Sequence, residues 1–400
     1  MNSAPTTRRD FLKKSIAGSI GLAAGWRSAT LGGTAYADTG GYTASVAITK
    51  GSDRADNAFR ALQMFKKEIA TAIGHKRVVI KPNFVWYSNP YACTRVEHVE
   101  GILEFLKSIG KRDVDVAESS AQGPIMNGYN TYVYWGLTKK YPVKLMDLNQ
   151  EGSANVQIWQ YGDINNSTQR TIRISKLYLN PNNFIISATP MKTHNTVVVT
   201  LATKNIGMSA PVIDIGNSQG QTGARGDKSW MHGASGSPPG DYQCLNDNVY
   251  RMVSVHGIRP HLAVIDGYQG MQGDGPVNGS GIPTPQQLAL VSQDWLAADR
   301  IALTLMGTNV NATLNHRQDD GYAMPYPAVL NYCWMAGLGE WDDRKIHVIG
   351  DVGDMAGNSL VGNANVVNYS PSPTQSSQLG MRAYPREGTW VNHVQEEPPA

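Results

Sequence analysis

The chain has 400 residues, 35 Lys and Arg against 32 Asp and Glu, and three cysteines. A formal charge of +3 is too weak to mark a nucleic-acid or anionic-membrane partner. Cys93, Cys244 and Cys333 are widely separated with no CxxC among them, so no cysteine-ligated zinc or iron–sulfur cluster is expected, and one disulfide among the three stays open.

In chain order, Thr7-Arg8-Arg9-Asp10-Phe11-Leu12-Lys13 matches a twin-arginine export signal. A short, glycine-containing apolar stretch, Ile16 to Trp26, follows, and Ala35-Tyr36-Ala37 is an A-x-A cleavage site before Asp38. The stretch is too short to span a bilayer, which takes about 20 apolar residues. Residues 1–37 therefore read as a cleaved signal peptide, and the twin-arginine translocase as the export partner. The mature form is expected in the periplasm or secreted, with no membrane span. The segment carries five cations and one acid, so its removal takes the formal charge from +3 to −1. The roughly 360 remaining residues can bury a large core.

The body alternates helix-like and strand-like runs. Ala55 to Ile73 carries apolar residues at helical spacing, and Val96 to Ile109 does so again before Gly110. Tyr129 to Lys140 reads as helical, and Trp295 to Met306 as a helix closed by Gly307. Val78 to Ile80, Val114 to Ala117, Val143 to Leu148, Phe184 to Ala188, Leu262 to Ile265, Leu288 to Ser292 and Ile346 to Ile349 are short apolar strands. Gln157 to Leu177 alternates and suits an antiparallel edge. Ser209 to Asp241 is Gly/Ser/Pro-rich without period, as lids and binding loops are. The expected fold is α/β, a mostly parallel sheet flanked by helices with a long Gly/Ser-rich loop. It occupies residues 38–355, before a loop-rich tail at 356–400.

Each apolar run ends in reactive groups: Lys81-Pro82-Asn83, Glu118-Ser119-Ser120, Lys192-Thr193-His194, Asp266-Gly267 and Asp294. Parallel strands would bring all five to the carboxyl edge of the sheet, where ligands bind in open α/β folds. Singly, each has an ordinary reading as a turn or helix cap; Asp294 before Trp295 is a natural N-cap. Lys192 and His194 together, with Lys81 nearby, point to a site, because a lysine after a buried strand is costly without an anion. Lys81, Lys192 and Lys204 can hold a carboxylate or phosphate, and a desolvated lysine can act as base or nucleophile. His194 is a proton shuttle or metal ligand. Glu118, Asp266 and Asp294 could hold a hard divalent cation, or join His194 and His232 around a transition metal. No ligand spacing is diagnostic. In Met271-Gln272-Gly273-Asp274-Gly275-Pro276 the glycines Gly273 and Gly275 allow close backbone approach to a ligand. GxxxxGK[ST], GxSxG and HExxH are absent.

IKPNFV (80–85), Thr94 through His98, VAESS (116–120), PMKTHNTVVVTLATKNIG (190–207), His232, RPHLAVIDGYQGMQGDGPVNG (259–279) and Asp294 to Asp299 with Met306-Gly307 together resemble the family called domain of unknown function 362 (DUF362). The resemblance covers roughly residues 75–345. The family has no settled reaction, is often linked with redox and iron–sulfur gene products, and many members carry a ferredoxin-like cysteine cluster that this chain lacks. It implies a shared site at Lys81, Asn83, Glu118, Lys192, His194, Lys204, Asn205, His232 and Asp266. The expectation is an exported enzyme acting on a small anionic substrate. Lys192, His194, Lys81 and Glu118 are its catalytic set. Asn83, Thr193, Lys204, Asn205, Gly273 and Gly275 are its binding set, and His194, His232 and Asp266 a possible divalent-metal set. The alternative is a non-catalytic ligand- or cofactor-delivery protein associated with redox systems.

Overall fold

The computed structural model describes residues 41–161, 167–214, 226–232, 240–307, 328–360 and 363–370. The export signal and its cleavage site lie outside the described residues. The strands are β1 (Ala44–Lys50), β2 (Arg77–Lys81), β3 (Val114–Glu118), β4 (Val143–Asp147), β5 (Ser153–Tyr161), β6 (Ser167–Ser175) and β7 (Asn183–His194). They continue with β8 (Val198–Thr200), β9 (Leu262–Gln272), β10 (Ser280–Gly281), β11 (Leu288–Ser292), β12 (Ile346–Gly350) and β13 (Met355–Ala356). The helices are α1 (Arg54–Gln63), α2 (Lys66–Ile73), α3 (Val96–Ser108), α4 (Ile125–Thr131), α5 (Trp135–Lys140) and α6 (Ala202–Gly207). After them come α7 (Asp227–Trp230), α8 (Gly240–Ser254), α9 (Trp295–Leu305) and α10 (Ala328–Met335).

The order of the main sheet is β13-β12-β1-β11-β9-β7-β2-β3-β4, with β8 against β7 and β10 against β9. From β9 through β7, β2 and β3 to β4 every pairing is parallel. β11 runs antiparallel to both neighbours, β9 and β1. The fold is thus α/β with a mixed, mostly parallel sheet. Residues alternate faces. Val78, Ile80, Val114, Val116, Phe184 and Ile186 pack toward α1 to α5, while Val79, Ala117, Ile185, Ala263 and Ile265 pack toward α6 and α8 to α10. Each fully buried aliphatic side chain contributes about 1.5–3 kcal/mol.

Several expected elements change shape. Ala55 to Ile73 divides at Met64 and Phe65 into α1 and α2, which lets Phe65 and Ile69 both enter the core. Tyr129 to Lys140 contains a break between α4 and α5. The alternating Gln157–Leu177 region is a separate hairpin, β5 with β6, rather than an edge of the main sheet. β7 does not stop at Pro190. A register shift between Pro190 and Lys192 accommodates the missing N–H, and the strand runs on to His194 with β8 as a new partner. β9 likewise continues past Asp266-Gly267, so these residues sit inside a strand rather than after one. Because β11 is antiparallel, Asp294 lies at the opposite edge from Lys81 and Glu118. There it caps α9, accepting from Leu296 N and Ala297 N, so four of the five polar clusters share an edge and the fifth does not. No helix among the described residues is long and apolar enough to cross a membrane.

Candidate functional site

The parallel half of the sheet positions the site. β2 ends on Lys81, β3 on Glu118, and the extension of β7 carries Lys192. The short helix α6 brings Lys204 and Asn205 over the strand ends. Its first turn is held from α9. Asp299 accepts from Ala202 N at 2.7 Å, Thr203 N at 2.9 Å and Thr203 Oγ1 at 2.6 Å.

One buried network joins five of the expected residues. Lys192 Nζ donates to Asn83 Oδ1 at 2.7 Å and to the Ala92 carbonyl at 2.5 Å. Asn83 Nδ2 donates to Asn205 Oδ1 at 2.8 Å, which also accepts from Lys81 Nζ at 2.6 Å. Lys81 Nζ completes an ion pair with Glu118 Oε1 at 2.9 Å. Both amide oxygens thus face an amine, which fixes the orientation of both side chains. Asn205 Nδ2 donates onward to Ser187 Oγ at 2.9 Å and Lys81 O at 3.2 Å. Glu118 also accepts from Phe84 N and Ser119 N, each at 2.7 Å. Thr94 Oγ1 links Asn83 N to the Ala188 carbonyl, tying the β2 loop to β7.

Lys192 is 0% exposed, Lys81 3% and Glu118 1%. Burial disfavours the ammonium and lowers Lys192 to about 7, with the Cys93 and Glu118 side chains opposing that shift and Lys81 adding to it. Burial also lowers Lys81, and Glu118 resists.

His194 sits beside this network at the turn between β7 and β8. Its Nδ1 accepts from Thr196 N at 2.9 Å and Val197 N at 3.3 Å. That lone pair is spent, so the ring proton of the neutral form resides on Nε2. Burial, then the charges of Lys204, His232 and Lys192, push its pKa well below the ordinary histidine range. The neighbouring Val198 has φ 70, a strained conformation for a β-branched residue beside a site.

Thr193, Gly273 and Gly275 form a clasp rather than a ligand surface. Thr193 Oγ1 donates to Gly273 O at 2.8 Å and Asn195 N to Gly275 O at 2.8 Å. A Cβ on Gly275 would lie 2.5 Å from Thr193 O, so glycine there answers to close packing of the β9 loop on the hairpin. Asp266 stands apart from the lysine network. It pairs with Arg54 Nε at 3.2 Å and accepts from Tyr268 N.

The possible metal set does not assemble. Among the described residues no three His, Cys, Asp or Glu side chains gather to hold an ion, so His194, His232 and Asp266 are not one group. The tautomer of His194 offers a proton at Nε2 and not a lone pair. Cys93, Cys244 and Cys333 are all buried thiols, none of them in a disulfide.

Lys228 was not expected. It lies in α7, in the middle of the aperiodic region, and is 4% exposed. Its Nζ donates to Ser119 Oγ at 2.8 Å, Met208 O at 3.0 Å and Ser119 O at 3.4 Å. Burial lowers it to about 7, against Glu118 and with Lys81. The sequence signal was Trp230-Met231, an apolar pair amid Gly and Ser that marks a segment returning to the core. Asp299, the cap of α6, was likewise missed as a positioning residue, because its partners are 96 and 97 positions away.

A sequence profile described as "Domain of unknown function (DUF362)" matches residues 78–304, more than half of the chain. A crystal structure of a Thermotoga maritima protein from the Northeast Structural Genomics Consortium aligns with a TM-score of 0.36 and 11% identity. The alignment covers 62% of this chain and 57% of that one, so the chain spans under two thirds of that protein. No curated protein matches.

Proposed function

The chain belongs to the DUF362 family, and on that premise we propose that it is an enzyme acting on a small anionic substrate at the Lys81–Asn83–Glu118–Lys192–Asn205 network. The observation that carries this reading is the burial of Lys192 at the carboxyl ends of the strands, with an amine held to about 7 and oriented by two acceptors. An amine balanced near neutral pH both accepts and returns a proton efficiently. Lys81, kept beside Glu118, supplies positive charge for the anion, and neutral His194 carries its proton on Nε2 beside it. Asn83 and Asn205 hold the two amines at a set separation. Lys204 and His232 line the side of His194.

The test incubates the full chain with a pool of small carboxylated and phosphorylated compounds and follows each by mass spectrometry. The enzyme reading expects one compound to be consumed by the wild type and spared by Lys192→Met and Glu118→Gln. A compound retained intact by the wild type, with no product, supports ligand delivery instead.

The same reading places the mature protein outside the cytoplasm through the Thr7–Lys13 signal, cut after Ala37. N-terminal sequencing of the exported form should begin at Asp38, and changing Arg8 and Arg9 together to Lys should retain the chain in the cytoplasm. A mature protein that still begins upstream of Asp38 would contradict it.

A further inference from the structure

Three buried amines surround one carboxylate. Lys81 is paired with Glu118 at 2.9 Å, Lys192 is held through Asn83 and Asn205, and Lys228 meets Ser119, the residue after Glu118. All three feel the charge of Glu118; among the described residues the Cys93 side chain also acts on Lys81 and Lys192, and the Asp147 carboxylate on Lys228. Buried charge is tolerated when it is matched; here amines outnumber carboxylates within one cluster. The mismatch is built rather than accidental. Lys228 is delivered by Gly226–His232, a strap anchored well away from the amine. Asp227 accepts from Arg173 N at 2.6 Å and Arg173 Nε at 2.9 Å, and Asp227 N donates to Val212 O at 3.1 Å. At its other end Met231 is buried and its carbonyl accepts from Asn248 Nδ2.

We propose that Lys228 completes, with Lys81 and Lys192, a buried site for a doubly charged phosphoryl oxyanion, either free phosphate or the phosphate of a small metabolite. This rests on the anion-site reading above and specifies its ligand. The chemistry selects the class. Compact ammonium charges suit a tetrahedral dianion, whereas carboxylate recognition favours the planar fork of arginine, which this network lacks. Lys81 and Lys192 each make two hydrogen bonds to protein, so each ammonium retains a third N–H to give, while Lys228 holds Ser119 Oγ and Met208 O closely and Ser119 O only at 3.4 Å. A cavity of about 710 Å³ is lined by Tyr87, Arg95 and Tyr132 and by no residue of the cluster itself. Tyr132 reaches the Cys93 thiol, and Cys93 in turn acts electrostatically on Lys192.

The test uses the full chain and inorganic phosphate. Melting is followed across a phosphate titration at pH 7.5 and constant ionic strength, with acetate as the singly charged comparison. The wild type should gain Tm with phosphate and not with acetate, and Lys228→Met should bind phosphate about tenfold more weakly or worse. A second readout needs no variant. A dianion that fixes partly neutral amines in the charged form takes up protons, so the calorimetric binding enthalpy should change with the ionisation enthalpy of the buffer. Phosphate binding that Lys228→Met leaves unchanged, or binding without proton uptake, overturns the assignment. So does acetate binding that depends on Lys192, although that result would preserve the anion-site reading. No response to either anion overturns this inference, and the turnover assay then decides the earlier one separately. If Lys228→Met does not fold, the proton uptake of the wild type decides.

Discussion

The two edges of the sheet carry two buried charge clusters, and they are built on different principles. At the far edge, Asp294 caps α9 and accepts from Glu340 N at 2.8 Å, while Arg300 Nη2 pairs with Asp343 Oδ2 at 2.5 Å. Glu340 receives Trp341 N and Asp342 N. Every acid there answers a backbone N–H or a guanidinium, so the cluster is closed on itself. At the carboxyl edge of β2, β3 and β7, three amines share Glu118 and lean on neutral amides and carbonyls. Buried carboxylates that accept from backbone N–H groups hold helices in place. Surplus buried charge raises the free energy of the ligand-free fold, and a bound counter-ion would recover it. Both clusters are unequal in charge, three carboxylates to one guanidinium at the far edge and three amines to one carboxylate at the other, so the contrast lies in the partners: backbone N–H groups answer the acids of the scaffold, and no such set of anions answers the amines of the site.

The largest expected effect tests the surplus directly. Glu118→Gln removes the one carboxylate paired with Lys81 and should cost about 3–5 kcal/mol in denaturant unfolding, the usual penalty for orphaning a buried charge. A change under 1 kcal/mol would mean the amines are already neutral and the two edges do not differ in kind. Next, Asp299→Ala strips three donors at the start of α6 and should cost about 2–4 kcal/mol. It should also displace Lys204 and Asn205, weakening anion binding, whereas a cap with a purely structural role would leave binding intact.

The pH dependence sharpens the comparison further. Lys192 and Lys228 titrate near 7 in the fold and near 10.5 when unfolded. Between those values the unfolded chain holds protons that the folded chain has lost, so stability rises as pH rises from 7 toward 10. Each amine contributes up to about 1.4 kcal/mol per pH unit within that window. Chemical denaturation at pH 7, 8 and 9 should show that slope, and Lys192→Met should reduce it by one proton; an unchanged slope would place the titration elsewhere. The smallest effect is Thr203→Val, which removes one hydroxyl from Asp299 and should cost about 1 kcal/mol. An equilibrium unfolding curve for that variant separates the hydroxyl from the two backbone donors.

Much of this was legible from residue order. The apolar runs at Val78–Ile80, Val114–Ala117 and Phe184–Ala188 marked three adjacent parallel strands, and Lys81, Asn83, Glu118 and Lys192 lie together as their positions after those runs implied, joined by Asn205 from α6. Periodicity reports local geometry, and a strand that ends in a polar group places that group at the sheet edge. Strand direction was not legible. Nothing local to Leu288–Ser292 says that it runs antiparallel, so Asp294 was assigned to the wrong edge. Nor does any local pattern reveal that β7 crosses Pro190 by borrowing β8, or that β9 encloses Asp266.

Lys228 is the clearest case of what only tertiary structure decided. It sits in an aperiodic stretch, 109 positions from Ser119, and enters the core because Asp227 finds Arg173 and Met231 finds an apolar site. The sequence by itself determined the strands, the helices and the polar groups at their ends, since those depend on neighbours within a few residues. Which amines share one carboxylate depends on long-range packing, and that is where the charge imbalance arises.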